Sequence, residues 1–351
     1  MNVLVLGGTG AMGIHLVGLL AERGDKVTVS SRKIREATDN ITYVCGNARD
    51  EGFLNTLLNP SWDVIVDFMV YSTSEFEKRV NDLLDATKQY VYLSSARVYS
   101  NVDTIITENS LRLLDVSVDR GYLATDEYAL SKARQENILM ESGKKNWTII
   151  RPYITYDKTR LQLGFIEKEA WLYRALKGRT IVFSKNIAKK ITTLAYGLDV
   201  AKGILAILNK NEAYGAAFHI TGNDNQKWED ILKAYVLVIQ KHLGYKPKCI
   251  LIDEEQTLKM HSNVYQIKYD RMFNRVFDNT KINKFTNTKN FNRTIEGISF
   301  CLEAFLKNPK FNKIYWPAEA VKDKISGEHT SFKEIKNIKN ILLYTYCRYI
   351  K

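Results

Sequence analysis

The sequence has few cysteines and lacks any long hydrophobic run, and both absences narrow the class of protein. Its four cysteines show neither paired spacing nor a neighbouring histidine cluster; they are Cys45, Cys249, Cys301 and Cys347. Neither a disulfide framework nor a zinc site is therefore indicated. No apolar run approaches the roughly 18 residues of a membrane span, and no basic leader precedes the first apolar residues. We therefore predict a cytoplasmic protein with no metal and no integral membrane segment.

Acidic residues are scarce in the second half of the chain. Residues 1–150 hold 16 Lys and Arg against 20 Asp and Glu, whereas residues 151–351 hold 35 against 19. The net charge of +12 therefore divides into −4 and +16. A region this basic could attract phosphorylated small molecules, nucleic acid or an anionic membrane surface. The alternative is that its lysines are spread over solvated faces without a common ligand.

The first 153 residues alternate predicted strands with predicted helices. An apolar run at Val3 to Leu6 is typical of a strand buried on both faces, and apolar residues then repeat at helical spacing up to Gly24. Further strands are predicted at ITYVC, DVIVDF, QYVYLSS and WTIIRP. Helices are predicted near residues 51–58, 74–87 and 124–142. This alternation predicts an α/β fold with a doubly wound parallel sheet of Rossmann type.

After residue 153 the alternation becomes less regular. FIEKEAWLYRALKGR and TLAYGLDVAKGILAILNK each predict a helix, and AAFHITG predicts a strand that could rejoin the sheet. The remainder is basic and mainly helical, with no repeat and no linker rich in Pro or Gly. We therefore predict a nucleotide-binding domain over residues 1–153, rejoined by 194–222. A smaller, mainly helical substrate-binding lobe is predicted from residues 154–193 and 223–351.

The last residues of the chain form an amphipathic pattern. FKEIKNIKNILLYTYCRYI places Ile335, Ile338, Leu342 and Tyr346 on one stripe, with lysines opposite. Such a stripe could attach to a membrane surface. Packing against the lobe or against a second subunit is the favoured alternative, and we expect a homodimer.

Three glycines mark the turn between the first strand and the first helix. Gly7, Gly10 and Gly13 stand three residues apart. Glycines in this setting let the chain turn tightly and approach a pyrophosphate, which then lies at the helix N-terminus. The spacing is G-x-x-G-x-x-G rather than G-x-G-x-x-G. The turn therefore predicts dinucleotide binding.

Tyr128 and Lys132 stand four residues apart in a stretch predicted to be helical. Residues at this spacing are neighbours on a helix surface. An ammonium beside a phenol favours the phenolate, so we expect Lys132 to lower the pKa of Tyr128 from its ordinary value of about 10. The pair could then move a proton, although the same spacing arises by chance in many helices.

These motifs together resemble those of the extended short-chain dehydrogenase/reductase family, which includes nucleotide-sugar epimerases, dehydratases and reductases. GGTGAMG resembles the family's glycine motif, and GNARD is similar to its G-D-x-R-D, with Asn47 in place of Asp. DVIVDFMV resembles the strand end that contacts the cofactor. SSARVY resembles the strand with the catalytic serine, here Ser95. AYGLDVAKGI and AAFHITG resemble a later helix start and strand.

The resemblance implies a role for each matched residue. Ser95 would hydrogen-bond a sugar hydroxyl or carbonyl oxygen, Tyr128 would exchange its proton, and Lys132 would hold the tyrosine anionic and bind the nicotinamide ribose. The nicotinamide would carry the hydride. The implied cofactor-binding residues are Gly7, Thr9, Gly10, Ala11, Met12, Gly13, Ser31, Arg32, Asn47, Ala48, Phe68, Met69, Ser94, Tyr128, Lys132, Pro152 and Tyr153.

The end of the second strand bears on the choice of cofactor. NAD enzymes of this type carry an acidic residue there for the ribose hydroxyls, whereas this chain has SSRK. Ser31, Arg32 and Lys33 suit a 2′-phosphate, unless the turn is simply basic and solvated. We therefore expect NADP, with NAD as the alternative.

The substrate side also departs from the family pattern. RPYITYD has Ile154 where the family often has an asparagine that meets the substrate. The arginine that commonly binds the nucleotide diphosphate is replaced by Thr192 and Thr193. Basic residues that could substitute are Lys189, Lys190, Arg271 and Arg275. The expected substrate-binding residues are Ser95, Arg97, Ile154, Arg271 and Arg275.

The residues after Ser95 bear on the reaction type. The family's 4,6-dehydratases carry an Asp-Glu pair there, which supplies acid and base to expel water from the sugar. This chain has Ala96 and Arg97, and arginine stays protonated at neutral pH. Glu127 precedes Tyr128, but on a helix it would point about 100° away, so it would reach a substrate only if the helix starts late. We therefore expect hydride exchange without loss of water.

We predict an NAD(P)-dependent nucleotide-sugar epimerase or ketoreductase. One alternative is a dehydratase of the same family. From another class, the alternative is a non-catalytic NADP-binding sensor or an RNA-binding relative. Ser95, Tyr128 and Lys132 argue against a sensor, and no stacking motif of aromatic and basic residues supports RNA binding.

Overall fold

The computed structural model describes residues 1–260 and 263–350, and the chain divides into two compact units. Unit 1 consists of Met1–Asp157, Thr193–Asp224 and Val276–Thr294. Unit 2 consists of Lys158–Thr192, Asn225–Arg275 and Ile295–Lys351. The predicted lobe also included residues 261, 262 and 351, which lie outside the described residues.

The strands, in chain order, are β1 (Asn2–Leu6), β2 (Lys26–Ser31), β3 (Ile41–Cys45), β4 (Trp62–Asp67), β5 (Thr87–Leu93), β6 (Trp147–Arg151), β7 (Ile154–Tyr156), β8 (Gln162–Leu163), β9 (Ile166–Glu167), β10 (Ile181–Ser184), β11 (Ile191–Tyr196), β12 (Ala216–His219), β13 (Asn225–Lys227) and β14 (Cys249–Ile252). The α-helices are α1 (Gly13–Glu22), α2 (Glu51–Leu58), α3 (Thr73–Asp85), α4 (Leu113–Val116), α5 (Arg120–Leu123), α6 (Tyr128–Glu141), α7 (Lys168–Leu176), α8 (Lys185–Ala188), α9 (Gly197–Ile207), α10 (Trp228–Leu243), α11 (Glu254–Lys259), α12 (Val264–Gln266), α13 (Thr294–Leu306), α14 (Trp316–Ser326), α15 (Phe332–Ile335) and α16 (Ile338–Thr345).

Unit 1 is built on a seven-stranded parallel sheet in the order β12-β6-β5-β4-β1-β2-β3. Alternate residues of β1 face opposite sides of this sheet. Val3 and Val5 pack into the core formed with α1 and α9, whereas Leu4 and Leu6 pack into the core formed with α2, α3 and α6. The predicted doubly wound α/β fold is therefore confirmed. The strand order reverses between β1 and β4, which is where open α/β sheets bind ligands.

Residues 276–294 lie in unit 1, although the sequence placed them in the basic lobe. The backbone N–H of Ile106 donates to Val276 at 2.9 Å, and that of Asp278 donates to Ile106 at 2.8 Å. Ile282 and Phe291 also pack into the core beside α1 and α9. The segment therefore joins unit 1 through long-range contacts that leave no periodic pattern in the sequence.

Unit 2 combines short strands with helices around an aromatic and ionic interior. Strands β10 and β14 pair in parallel, and the rings of Trp171 and Tyr235 stack with centroids 4.5 Å apart. Arg174 is fully buried and bonds Asp323 at 2.7 Å and Glu319 at 3.0 Å. The attraction and hydrogen bonds within these ion pairs offset the free-energy cost of removing the charges from water.

Three predicted helices differ from the observed ones. Residues 191–196 form strand β11, and the helix begins only at Gly197, because the apolar run is consistent with either structure. The helix predicted at 124–142 begins at Tyr128, after the separate short helix α5. The C-terminal helix is interrupted at Lys336, whose φ of 61° is left-handed. Among the described residues, no helix is long and apolar enough to cross a bilayer.

Candidate active site

The glycine turn between β1 and α1 has the geometry of a pyrophosphate cradle. A Cβ at Gly13 would lie 2.7 Å from the Gly8 backbone, so only glycine lets the helix start pack this closely. Gly7 has a φ of 69°, and nothing lies within 4 Å of a Cβ placed on Gly10. The N-cap residue Met12 makes no side-chain capping bond, so no cap side chain competes with an anion for the start of α1, although the Ile14 N–H already donates to the Gly10 carbonyl at 3.1 Å. The residues of this turn therefore fit a dinucleotide.

A further glycine, Gly197, packs against this turn, and the sequence analysis did not identify it. Gly197 begins α9, and a Cβ there would lie 2.1 Å from the carbonyl oxygen of Ala11. Next to it, the rings of His15 and Tyr196 meet edge to face with centroids 5.3 Å apart. The sequence signal that could have indicated Gly197 is a glycine at the start of a helix that follows a strand, as with Gly13.

Phe68 and Met69 follow β4 directly beside the glycine turn. The Phe68 N–H donates to Leu6 at 2.9 Å, and the Met69 sulfur would lie 3.0 Å from a Cβ on Gly7. The Asp67 carboxylate accepts bonds from the Met69 N–H and the Tyr90 hydroxyl, both at 2.8 Å. Burial raises the pKa of the Asp67 carboxyl, although these two bonds favour its charged form. Asp67 is a supporting residue that sequence reasoning missed.

The predicted adenosine-side residues follow β2 and β3. The buried Ser31 hydroxyl donates to the Lys33 carbonyl at 2.8 Å, which shapes the turn, and Arg32 is exposed. Asn47 is exposed and accepts a bond from the Arg49 N–H at 3.2 Å. Its neighbour Ala48 is buried. Because parallel strands end at one edge of the sheet, these residues share that edge with the glycine turn and with Thr9.

Tyr128 is the first residue of α6, and Lys132 lies one turn further along the helix. Lys132 is only 1% exposed, and its Nζ donates to the Leu93 carbonyl at the end of β5 at 2.7 Å. The same Nζ lies 4.5 Å from the ring centroid of Tyr92 and 6.0 Å from that of Tyr128. Burial lowers the pKa of the Lys132 ammonium to about 8, although the carboxylates Asp67 and Glu136 act in the opposite direction. The predicted helical pair is therefore on one face, with its cation held against β5.

The two serines after β5 have different partners. The Ser94 hydroxyl donates to Glu136 at 2.6 Å, and Glu136 is in turn bound by Arg151 through Nε at 2.7 Å and Nη2 at 2.8 Å. Ser95 Oγ accepts the Arg97 backbone N–H at 3.2 Å. An accepting hydroxyl keeps its own hydrogen, so Ser95 can still donate to a ligand. Ser94 therefore anchors the strand end, whereas Ser95 can bind substrate.

Glu127 and Arg97 form an ion pair next to Tyr128. Because α6 begins at Tyr128, Glu127 is its N-cap residue and accepts the Ala129 N–H at 2.8 Å. The other carboxylate oxygen of Glu127 accepts a bond from Arg97 at 2.6 Å, and the Arg97 guanidinium lies 5.2 Å from the ring centroid of Tyr128. The late helix start therefore occurs, but both oxygens of this carboxylate already hold structural bonds.

The remaining predicted residues lie in both units. Pro152 accepts the Ala96 N–H at 2.9 Å, the ring of Tyr153 lies 5.0 Å from that of Phe277, and Ile154 is buried in β7. Arg271 and Arg275 are buried in unit 2, where both pair with Asp270. The substrate roles of these residues stay predictions.

Known proteins resemble this chain in sequence or in fold. Residues 7–176 match a family model described as NAD(P)H-binding. The chloroplast stem-loop binding protein of 41 kDa b from Arabidopsis thaliana is 25% identical over 249 residues, which cover 66% of this chain and 62% of that protein. The chain thus spans less than two thirds of the length of this curated relative.

Solved structures match over most of both chains. The enzyme WbmH of Bordetella bronchiseptica, in complex with NAD+, is 16% identical with a TM-score of 0.69, covering 88% of this chain and 99% of that chain. The dTDP-glucose 4,6-dehydratase of Bacillus anthracis, in complex with NAD, is 17% identical with a TM-score of 0.65, covering 88% and 97%. The resemblance seen in the sequence is thereby supported: residues 7–176 match an NAD(P)H-binding family model, and the chain shares the fold of these two solved enzymes.

Proposed function

We propose that this protein is an NAD(P)-dependent enzyme that epimerises or reduces a nucleotide-activated sugar. The observation that carries the proposal is the buried ammonium of Lys132, one helical turn from Tyr128 and bonded to the end of the serine strand. Burying a cation against a carbonyl and aromatic rings is unfavourable for folding. Buried ionisable groups whose pKa values are strongly shifted cluster at functional sites, and a proton-transfer role accounts for this one.

Each residue of the proposed relay has one task. The Ser95 hydroxyl holds the reacting oxygen of the sugar, and Tyr128 takes or returns the proton on that oxygen. Lys132 stabilises the anionic form of Tyr128. The glycine turn binds the pyrophosphate of the cofactor, and the nicotinamide supplies the hydride chemistry when bound. Ser31 and Arg32 suit a 2′-phosphate, so we propose NADP as the preferred cofactor.

A pocket of about 420 Å³ in unit 2 supports an anionic substrate. Lys189, Lys190 and Lys268 line it, together with a single carboxylate, Glu254. Three cations against one anion suit the diphosphate of a sugar nucleotide. Because Arg271 and Arg275 share the buried Asp270, we propose that these lysines, rather than the two arginines, are the basic residues of unit 2 that bind a phosphate group.

The experiment is to supply the protein with both cofactors and a panel of sugar nucleotides, and to weigh the products. Unchanged mass with a new retention time indicates epimerisation, and a gain of two hydrogens indicates reduction. Tyr128→Phe should slow the formation of either product by about 10²–10⁴-fold while cofactor binding persists. If no sugar nucleotide is converted and none raises the melting temperature, the proposal is wrong.

A second candidate function is binding of stem-loop RNA. Two observations favour it: the name of the Arabidopsis relative, and the excess of 28 Lys and Arg over 14 Asp and Glu in unit 2. Phosphate contacts alone weaken steeply with salt. Submicromolar binding of a stem-loop RNA at physiological salt, with no response to sugar nucleotides, would favour this candidate over the enzyme.

A further inference from the structure

The C-terminal segment, residues 338–350, exposes an unusual amount of apolar surface. Of the twenty-one large hydrophobic side chains exposed in the described part of the chain, six lie in these thirteen residues. They are Ile338 (77% exposed), Leu342 (66%), Leu343 (40%), Tyr346 (50%), Tyr349 (57%) and Ile350 (73%). Isolated exposed hydrophobic residues are ordinary, but a contiguous patch marks an interaction site.

The helix of this segment is apolar on two opposite faces. Tyr344 is fully buried and packs with Trp316 and Ala320 of α14, supported by Ile341 and Cys347. At 100° per residue, Ile338, Leu342 and Leu343 fall on the other side of α16. Tyr346, Tyr349 and Ile350 are exposed on the π-helical turn, Tyr346–Ile350, that continues from it. The inner face therefore holds the segment on unit 2, and the outer face is presented to solvent. A soluble surface helix would carry polar residues there.

The exposed charged side chains of residues 332–350 are all basic. Lys333, Lys336 and Lys339 are exposed. The single acidic residue of positions 332–350, Glu334, turns inward and bonds Arg179 and Tyr173, each at 2.7 Å. Exposed lysines beside an apolar patch that contains two tyrosines are typical of helices that lie at the surface of an anionic membrane.

We propose that the outer face of the C-terminal segment docks on an anionic lipid surface. The apolar side chains would enter the boundary between headgroups and acyl chains, and the lysines would contact the lipid phosphates. The excess of basic residues in unit 2 would add attraction over longer range. The helix would lie flat on the surface, held there without a membrane-spanning segment.

A second copy of the chain is the competing occupant of this face, and charge disfavours it. Two copies meeting through the segment would bring Lys336 and Lys339 of each near the same lysines of the other. The chain as a whole carries +12, which also opposes self-association through its most basic part. An anionic bilayer offers both the apolar environment and the opposite charge that this face requires.

The test is sedimentation of the full-length protein with vesicles of phosphatidylcholine alone or with one third phosphatidylglycerol. We expect binding to the anionic vesicles, and weaker binding at about 1 M salt than at about 0.1 M. Leu342→Glu should lower the partition coefficient about tenfold, because it removes a leucine that would enter the bilayer and adds a negative charge. Leu237→Glu is the matched control, since Leu237 is also 66% exposed, on α10 of the same unit. The control should bind as the wild type does.

Equal binding by wild type and Leu342→Glu would overturn the proposal, as would a wild type that stays in the supernatant with anionic vesicles. Light scattering under the same conditions tests the competing occupant. A wild-type dimer that Leu342→Glu converts to a monomer would assign the face to a second copy. Unchanged circular dichroism and melting temperature in both variants show that the fold is retained.

Discussion

Replacing Glu136 with glutamine removes one negative charge from the interior of unit 1. Glu136 lies on α6, the helix that carries Tyr128 and Lys132, and it is 0% exposed. Its carboxylate accepts bonds from Ser94 at 2.6 Å, from Arg151 at 2.7 and 2.8 Å, and from Arg112 at 3.2 Å. Burial by itself would lower the pKa of the Arg151 guanidinium, but the charge and hydrogen bonds of Glu136, together with those of Tyr99, outweigh burial and raise it. The Glu136 carboxylate therefore forms ion pairs with two arginines.

Glutamine cannot take over this role. Its amide nitrogen would face a guanidinium, and Arg151 would keep its charge without this carboxylate, whereas Arg112 would still pair with Asp115 at 2.9 Å. Removing one partner of a buried ion pair costs about 3–5 kcal/mol. Unit 1 contains about 200 residues, a size at which each kcal/mol shifts the melting temperature by roughly 2–4 °C. We therefore expect Glu136→Gln to melt roughly 10 °C below the wild type.

Scanning calorimetry without cofactor measures this difference, and urea unfolding gives the free energy independently. Glu141→Gln is the matched control, because Glu141 lies on the same helix but is exposed. Its effect should stay within about 0.5 kcal/mol. The double variant Glu136→Met/Arg151→Met should be less destabilised than the sum of its single variants. A loss below about 1 kcal/mol in Glu136→Gln would refute the view of Glu136 as the buried anion that joins α6 to the serine strand.

Tyr128→Phe keeps the ring and removes the proton, so turnover should fall by about 10²–10⁴-fold while calorimetric titration shows unchanged cofactor binding; near-normal turnover would exclude Tyr128 from the mechanism. Arg32→Ala should lose about 1.5–3 kcal/mol of NADP affinity and little NAD affinity, and tighter NAD binding by the wild type would favour a retained NAD. Lys132→Met should be more stable than the wild type at neutral pH, because burial disfavours the charged ammonium and lowers its pKa to about 8. Between that value and the unfolded pKa of about 10.4, the folded wild type binds fewer protons than the unfolded chain, so its stability rises with pH. That stability difference should therefore narrow, by up to about 3 kcal/mol, as the pH rises through this window, and a constant difference in urea unfolding would contradict the assignment. No product should be lighter by one water, because Glu127 is engaged by Arg97 and by the helix cap; such a product, lost in Glu127→Gln, would show that Glu127 is the acid.

The features that could be predicted from the sequence depend on residues close together in the chain. Alternating apolar strands and amphipathic helices predict the parallel sheet of unit 1, because each element must bury its apolar side against the next. The glycine turn and the pair of Tyr128 and Lys132 are likewise set by spacings of three and four residues. Only glycine fits where Gly13 meets Gly8, so this motif reports a real steric requirement.

Other features depend on contacts between residues far apart in the chain. Ser94, Glu136 and Arg151 are buried together through three different elements, and spacing in the sequence cannot indicate that. Gly197 supports the dinucleotide turn only because α9 packs against Ala11. Residues 276–294 likewise join unit 1 only through contacts with residues far away in the chain, such as Ile106.

The C-terminal segment shows which features the sequence determines and which only the tertiary structure determines. The sequence by itself indicated an amphipathic pattern over residues 332–350, with an apolar stripe and lysines opposite, since these properties follow from composition and period. It could not determine which face is buried, because apolar residues lie on both sides. The tertiary structure decided this: Tyr344 enters the core beside Trp316 and Ala320, and Lys336 adopts a left-handed conformation that reorients the helix. Of the predicted stripe, Ile335 is therefore buried, whereas Ile338, Leu342 and Tyr346 are exposed, because the shape and chemistry of the surface that the segment meets decide which side chains are buried.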